Sequence, residues 1–272
     1  MGEPATPGVT ARELGALGAG GVEEILDGAF VFYRRRFLAC LVAMALVQVP
    51  VTIGLTLISE TARRKIEQAG LDQELLAQGF TYALLVFLPS AVLSLVATQV
   101  GTGAVTYLVG RECTGTRVGV VESYRWAFRK MLPLLGVAAL IGLASVLGFL
   151  FFVVPGVIAF LVTFAAVPVV MLEDRGVVDS LRRSYELATG SLGRVATVRL
   201  LMAAFLAVCL GIGYTLAGRF TDRPDLQLLL AQIPTLIAGP VDSISMVLLY
   251  YDLRVRREGM DLECMAAELD RP

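Results

Sequence analysis

The sequence predicts an all-α integral membrane protein, with six transmembrane helices arranged as three repeats of an interfacial amphipathic helix plus a transmembrane hairpin. Three observations carry this. Of 272 residues, 56% are hydrophobic and only 17% charged, where soluble domains carry about a quarter charged residues, and the mean hydropathy is +0.73. Six apolar runs approach or exceed the roughly 20 residues that a helix needs to cross hydrocarbon. A short amphipathic pattern precedes every odd-numbered run. This composition excludes an ordinary soluble globule, a disordered chain and a secreted disulfide scaffold. The lack of any His removes Ser-His and Cys-His nucleophile pairs, the HExxH zinc motif and imidazole acid–base chemistry.

Residues 1–20 are rich in Gly, Ala and Pro without an apolar core or basic leader, so they read as a solvated tail rather than a signal peptide. The apolar runs cover 37–59, 81–109, 131–154, 156–172, 195–217 and 226–251. The second is longer than a bilayer needs, which predicts tilt, a kink near Pro89 or projection from the membrane. Val154-Pro155-Gly156 alone separates the third from the fourth, a turn signal that makes them a tight hairpin. None shows the strict alternation of a membrane barrel. With the N-terminus inside, the outer loops hold five basic residues, Arg63, Arg64, Lys65, Arg219 and Arg223, leaving 18 of 23 on or near the inner side. That asymmetry predicts a bacterial inner-membrane protein with both termini cytoplasmic. Tyr250 and Tyr251, followed by Arg254, read as an aromatic anchor with a basic stop. Residues 259–272 read as a cytoplasmic tail. Cys40, Cys113, Cys209 and Cys264 form no CxxC pair and read as unpaired thiols.

The three amphipathic segments share a pattern: Gly21-Val-Glu-Glu-Ile-Leu-Asp-Gly-Ala-Phe30, Gly119-Val-Val-Glu-Ser-Tyr-Arg-Trp-Ala-Phe128 and Gly176-Val-Val-Asp-Ser-Leu-Arg-Arg-Ser-Tyr185. Each opens on Gly-Val, has an acidic residue at the fourth place and closes on a small-aromatic pair. At helical spacing, one stripe collects Val22, Ile25, Leu26, Ala29, Phe30 and Tyr33. The second collects Val120, Val121, Tyr124, Ala127 and Phe128, and the third Val177, Val178, Leu181, Ser184, Tyr185 and Ala188. Opposite faces carry the charges, so each helix is expected to lie at the inner interface. The acidic residues near each start complement the helix dipole. One membrane domain over 21–258 then divides into units at 21–118, 119–175 and 176–258. The competing explanation is coincidence among short juxtamembrane amphipaths.

The stretch from Val167 through Glu173-Asp-Arg-Gly-Val-Val-Asp-Ser-Leu-Arg-Arg-Ser-Tyr-Glu-Leu-Ala-Thr-Gly190 resembles a known family. So does the ending Leu249-Tyr-Tyr-Asp-Leu-Arg-Val-Arg-Arg-Glu-Gly-Met-Asp-Leu-Glu263. Both are similar to bacterial multi-pass proteins related to the membrane domain of glycerophosphoryl diester phosphodiesterase. The resemblance implies a six-helix inner-membrane fold. It does not imply the phosphodiesterase activity, which in that enzyme resides in a separate soluble barrel using His and acidic residues with a divalent metal. This chain has no His and no length for such a barrel. No cofactor is expected.

Asp242 is the foremost candidate residue. It lies within the last apolar run, after Gly239-Pro240 and beside Ser243 and Ser245. A charge in hydrocarbon costs about 2.5–3.5 kcal/mol on the insertion scale, so Asp242 must face the bundle or water, or be protonated. Pro240 frees a backbone carbonyl, and interrupted helices often line substrate or ion sites. The alternative is a structural hydrogen bond from Gln48, Gln99 or a serine. These glutamines and Gln232 are polar groups at membrane depth, which more often join helices than coordinate a substrate. Ala138, Gly142, Gly148, Ala207, Gly211, Gly213 and Ala217 allow close helix approach. Arg34, Arg35, Arg36, Arg129, Lys130, Arg182 and Arg183 are candidate lipid-headgroup contacts, or simply set topology. The outer loop over 60–79 reads as helical extensions suited to self-packing or a partner contact.

Three functions follow as expectations. The first is a non-enzymatic protein that organises or binds lipids, anionic ones included, or partner proteins at the cytoplasmic face. The second is a small-solute, ion or lipid transporter using Asp242. The third is an intramembrane lipid-modifying enzyme, disfavoured because no acidic pair or metal-ligand spacing falls within the spans. A second copy of the chain or another membrane protein are the expected partners; interspersed Glu and Asp argue against nucleic acid.

Overall fold

The computed structural model describes residues 21–69, 73–151 and 153–259, with side chains of 59–88, 149, 151, 153, 224–225 and 228 excepted. The expected tail at 1–20, all but Gly259 of the expected tail at 259–272, and the side chains of the outer loop lie outside the described residues. Ten helices and no strand occur among the described residues: α1 Val22–Arg35, α2 Phe37–Ala69, α3 Gln73–Cys113, α4 Val120–Arg129, α5 Met131–Phe151, α6 Val153–Val162, α7 Ala166–Leu172, α8 Val177–Ala188, α9 Leu192–Phe220 and α10 Pro224–Glu258. Six spans are long and apolar enough to cross a membrane, α6 and α7 together making the fourth. This is a multi-pass helical membrane protein.

The most extensive packing is within three hairpins, α2 with α3, α5 with α6 and α9 with α10. The two members of each hairpin are not equivalent. In the spans of α3, α6–α7 and α10, half or more of the residues are buried; in α2, α5 and α9 fewer than a fifth are. The second arms therefore form an inner bundle and the first arms face lipid. Close approach within two hairpins requires glycine. A Cβ at Gly148 would stand 2.6 Å from the Gly156 Cα, and one at Gly213 would collide with the Ala231 carbonyl. Helix α5 ends at Phe151 and α6 begins at Val153, so Pro155 and Gly156 sit inside α6 rather than forming the turn expected of them.

The three amphipathic helices form where expected, each preceded by a glycine in extended conformation and each with an acid in its first turn. All three lie at the end of the bundle where α3, α7 and α10 finish, here called the collar end. Trp126 of α4 donates to the Met171 carbonyl of α7 at 3.0 Å. Arg183 of α8 pairs with Glu258 of α10. Arg194 donates to the Gly21 carbonyl before α1 at 3.1 Å. Single residues, Arg36 and Lys130, join α1 to α2 and α4 to α5. The α8–α9 connection instead turns at Gly190, whose φ of +98° suits glycine.

The faces these helices bury differ from the expected stripes. In α4 the bundle-facing residues are Ser123, Tyr124 and Ala127, whereas Val121 and Phe128 are 83% and 54% exposed. In α8 Ser180, Ser184, Leu187 and Ala188 are buried, and Val178 and Tyr185 are exposed. Small residues face the bundle because they let the backbones come close, and the larger apolar residues turn outward. Helix α1 is knitted to α10 rather than lying free: the Tyr33 hydroxyl donates to the Ile237 carbonyl at 2.6 Å, beside the Leu236 carbonyl whose helical donor Pro240 removes. Tyr250 and Tyr251 are buried, and α10 continues seven residues past Tyr251 to Glu258. They are core residues, not an interfacial anchor.

Candidate functional site

The fourth span is not one rod. It is interrupted at Thr163-Phe164-Ala165, between α6 and α7. Pro168 in the first turn of α7 has no N–H for the carbonyl of Phe164 and its ring crowds that carbonyl, so a continuous helix is disfavoured there. The freed backbone groups are satisfied from α8. The Ala165 N–H donates to Ser184 Oγ at 3.0 Å, and Ser184 Oγ donates to the Val162 carbonyl at 2.7 Å. Ser184 is fully buried. Thus one of the amphipathic helices is a structural plug for a break in a span.

Arg199 faces the same break from α9. Its guanidinium lies over the Phe160 ring, 4.0 Å from the centroid, and Nη2 donates to the Phe160 carbonyl at 3.4 Å. This places a cation against the C-terminal end of α6, where the helix dipole is negative. Arg199 is seven residues into α9, roughly 10 Å along the axis at ~1.5 Å per residue. It lies within the fifth apolar span, Leu192–Phe220.

Between these elements is a half-enclosed cavity of about 300 Å³. Arg199 and Asp242 both line it, and interact electrostatically across it. Each is surrounded by protein yet keeps surface toward the cavity. They form no direct ion pair, and Asp242 makes no hydrogen bond among the described residues. Two buried polar atoms here also lack a partner: Arg199 Nε and Gln99 Oε1. Buried polar atoms are satisfied in more than nine cases of ten, so their coincidence at one cavity is informative. Thr102, Thr106, Thr163 and Ser243 complete the polar lining. The rim includes Leu95 and Gly142, both exposed on the apolar outer surface, so the opening lies at membrane depth between α3 and α5.

Of the residues expected around Asp242, the structure brings Gln99 and Ser243 to the cavity. Gln48 does not line it; it accepts a long 3.5 Å hydrogen bond from Thr98, joining α2 to α3. Ser245 points elsewhere, donating to the Val241 carbonyl at 2.8 Å with Met202 Sδ at 3.4 Å. Gln232 is exposed. Ala138 and Gly142 border the cavity instead of holding helices together. Sequence reasoning missed Arg199, grouping it with inner-side basic residues. The signal was its position within the fifth apolar run.

At the collar end the charges that link one helix to another are paired. Glu173 accepts from the Tyr250 hydroxyl at 2.8 Å and from Arg183 at 3.3 Å, and pairs with Arg175 at 2.7 Å. Arg183 also pairs with Glu258, which accepts from Arg254 at 3.0 Å. Arg254 in turn donates to the Tyr250 hydroxyl at 3.0 Å, which closes a ring. Burial works against the Arg183 charge, but Glu258 and Glu173 outweigh it and hold its pKa above the ordinary arginine value. Asp252, fully buried, is met by Arg194 at 2.9 Å and Arg256 at 3.2 Å. Among the candidate lipid contacts, Arg36 pairs with Glu112 at 2.9 Å, Lys130 with Asp174 and Arg182 with Glu186 at 3.1 Å, and Arg183 belongs to the ring. Arg34, Arg35 and Arg129 are exposed and make no ion pair among the described residues.

These features define a helical membrane protein whose spans hold a charged cavity beneath a collar of ion pairs. No family model matches the chain, and no match occurs among curated proteins or solved structures.

Proposed function

We propose that this protein is a non-enzymatic carrier whose binding centre is the cavity between Arg199 and Asp242, taking a small polar solute or the polar group of a lipid. The single observation that carries the reading is the presence of two opposite charges at membrane depth that face one cavity without pairing. A charge in hydrocarbon is costly, and direct contact would lower that cost; holding the charges apart is what a binding site needs. An interrupted span whose half-helix ends meet the cavity is a recurrent transporter feature. The resemblance to the phosphodiesterase membrane domain is kept for the membrane fold alone. The test is recovery of a ligand that co-purifies with the wild-type protein. Asp242→Asn and Arg199→Gln are each expected to fold and to lose it. Retention by both variants removes the cavity from the mechanism.

A second reading, lipid organisation at the collar face, draws support from Arg34, Arg35 and Arg129, which are exposed and make no ion pair among the described residues, and from the outward-facing Val121 and Phe128 on the helix that carries Arg129. Such residues attract anionic headgroups at about 1 kcal/mol each. Neutralising all three is expected to weaken binding to anionic vesicles without affecting the cavity ligand. For location we propose a bacterial cytoplasmic membrane with the collar end and both termini inside, as the basic residues gathered there favour. Reporter fusions at the two ends test this: opposite compartments overturn it.

A further inference from the structure

The cavity's lining specifies the charge type of what it holds. Among the described residues, Arg199 offers a buried donor, its Nε, that no atom uses, and Asp242 and Gln99 Oε1 offer acceptors that none uses. The lining is therefore two-sided: one wall requires acceptor atoms and the other requires donors. It is also balanced in formal charge, one cation against one anion.

Balance matters because the surroundings are apolar. A ligand with net charge would leave that charge uncompensated at membrane depth, where each unit costs several kcal/mol. A purely anionic ligand would satisfy Arg199 while confronting Asp242, and a cation would do the reverse. A net-neutral ligand carrying both an oxyanion and an ammonium satisfies both walls and imports no charge. The opening completes the description. Of its lining residues, Leu95 and Gly142 are exposed on the lipid-facing surface between α3 and α5, so an alkyl tail has a route out of the cavity while the head stays in.

Resting on the carrier reading above, we infer that the cavity binds a zwitterion, its oxyanion on Arg199 and its ammonium on Asp242 and Gln99, with an aminophospholipid headgroup entering from the bilayer as the source that the opening favours. A soluble zwitterion such as a free amino acid shares the head chemistry and is the other source.

Native mass spectrometry of the full chain in detergent separates the outcomes. With phosphatidylethanolamine and phosphatidylglycerol added in equal amounts, about tenfold preferential retention of phosphatidylethanolamine is expected for the wild type. This measurement needs no variant. Asp242→Asn leaves a site with net positive charge and is expected to reverse the preference toward phosphatidylglycerol; Gln99→Leu, a milder change, is expected to reduce the preference. Displacement of retained lipid by millimolar alanine identifies the soluble source, and its absence the lipid; both uphold the zwitterion. Equal retention of the two lipids by the wild type, lost in Arg199→Gln but unaffected by Asp242→Asn, overturns the zwitterion while the carrier reading survives. Retention indifferent to Arg199, Asp242 and Gln99 but lost on neutralising Arg34, Arg35 and Arg129 overturns both.

Discussion

The collar end and the cavity use the same residue types in opposite ways. At the collar, close to water, where a charge can be solvated cheaply, Glu173, Arg183, Glu258, Arg254 and Tyr250 close a ring, and Asp252 is held by two arginines. Deeper in the bundle, where an isolated charge is expensive, Arg199 and Asp242 stay apart. Stability alone would produce the reverse. The ring at the collar binds the end of the inner bundle to an amphipathic helix, because Glu173 follows α7, Arg183 is on α8, and Tyr250, Arg254 and Glu258 are on α10. The separated charges below them cost stability and retain chemical potential for a ligand. The comparison teaches that pairing, more than the presence of charge, distinguishes scaffold from site in this molecule.

The sharpest way to break the contrast is at the cavity. Asp242→Asn and Arg199→Gln are each expected to remove the ligand that co-purifies with the wild type, while Glu258→Gln in the ring leaves it in place; mass spectrometry of the purified proteins reads all three. Stability is expected to respond in the other direction. Glu173→Gln removes the carboxylate shared by Arg175, Arg183 and Tyr250 and is expected to cost about 1.5–3 kcal/mol, the size of a hydrogen bond to a charged group. A fall in detergent melting temperature checks it. Gly148→Leu, which touches neither ring nor cavity, overpacks the α5–α6 crossing and is expected to cost about 1–3 kcal/mol, by the same melting measurement.

Alkaline pH probes the collar through its tyrosines. Burial foremost, with Cys40 adding to it, raises the Tyr33 hydroxyl from 10.0 to about 12; burial raises Tyr124 likewise to about 12. Both are raised acids, so the folded state holds their protons more tightly than the unfolded state. Their contribution is fully present below pH 10 and is lost as pH rises from 10 through 12. Tyr33→Phe and Tyr124→Phe are expected to flatten that part of the melting profile. The smallest effect belongs to Arg182→Gln. Its i,i+4 pair with Glu186 is on an exposed helix surface, so about 0.3–0.5 kcal/mol is expected, near the limit of a melting measurement.

How much of this was legible in the sequence follows from which signals are local. Spans announce themselves because hydrocarbon demands long apolar runs, and the amphipathic helices because charge and apolar residues alternate at helical spacing. Asp242 stood out as an acid inside such a run. Arg199 did not, because a cation a few residues inside an inner-side helix end resembles the basic residues that set topology. The interruption at Thr163-Phe164-Ala165 carries no turn residue of its own; only Pro168 hints at it, and the Ser184 side chain that stabilises it comes from another helix. The buried face of α4 was misjudged because hydrophobic ranking puts Val121 and Phe128 inward. In lipid an outward apolar side chain costs nothing, and Ser123 and Ala127 are chosen for size.

Whether Arg199 and Asp242 are held apart to grip a ligand is visible in a cryo-electron microscopy map of the protein in nanodiscs containing phosphatidylethanolamine. Density between the two side chains, extending toward Leu95 and Gly142, is expected. A direct Arg199–Asp242 ion pair, with α3 and α5 closed over it and no added density, contradicts it.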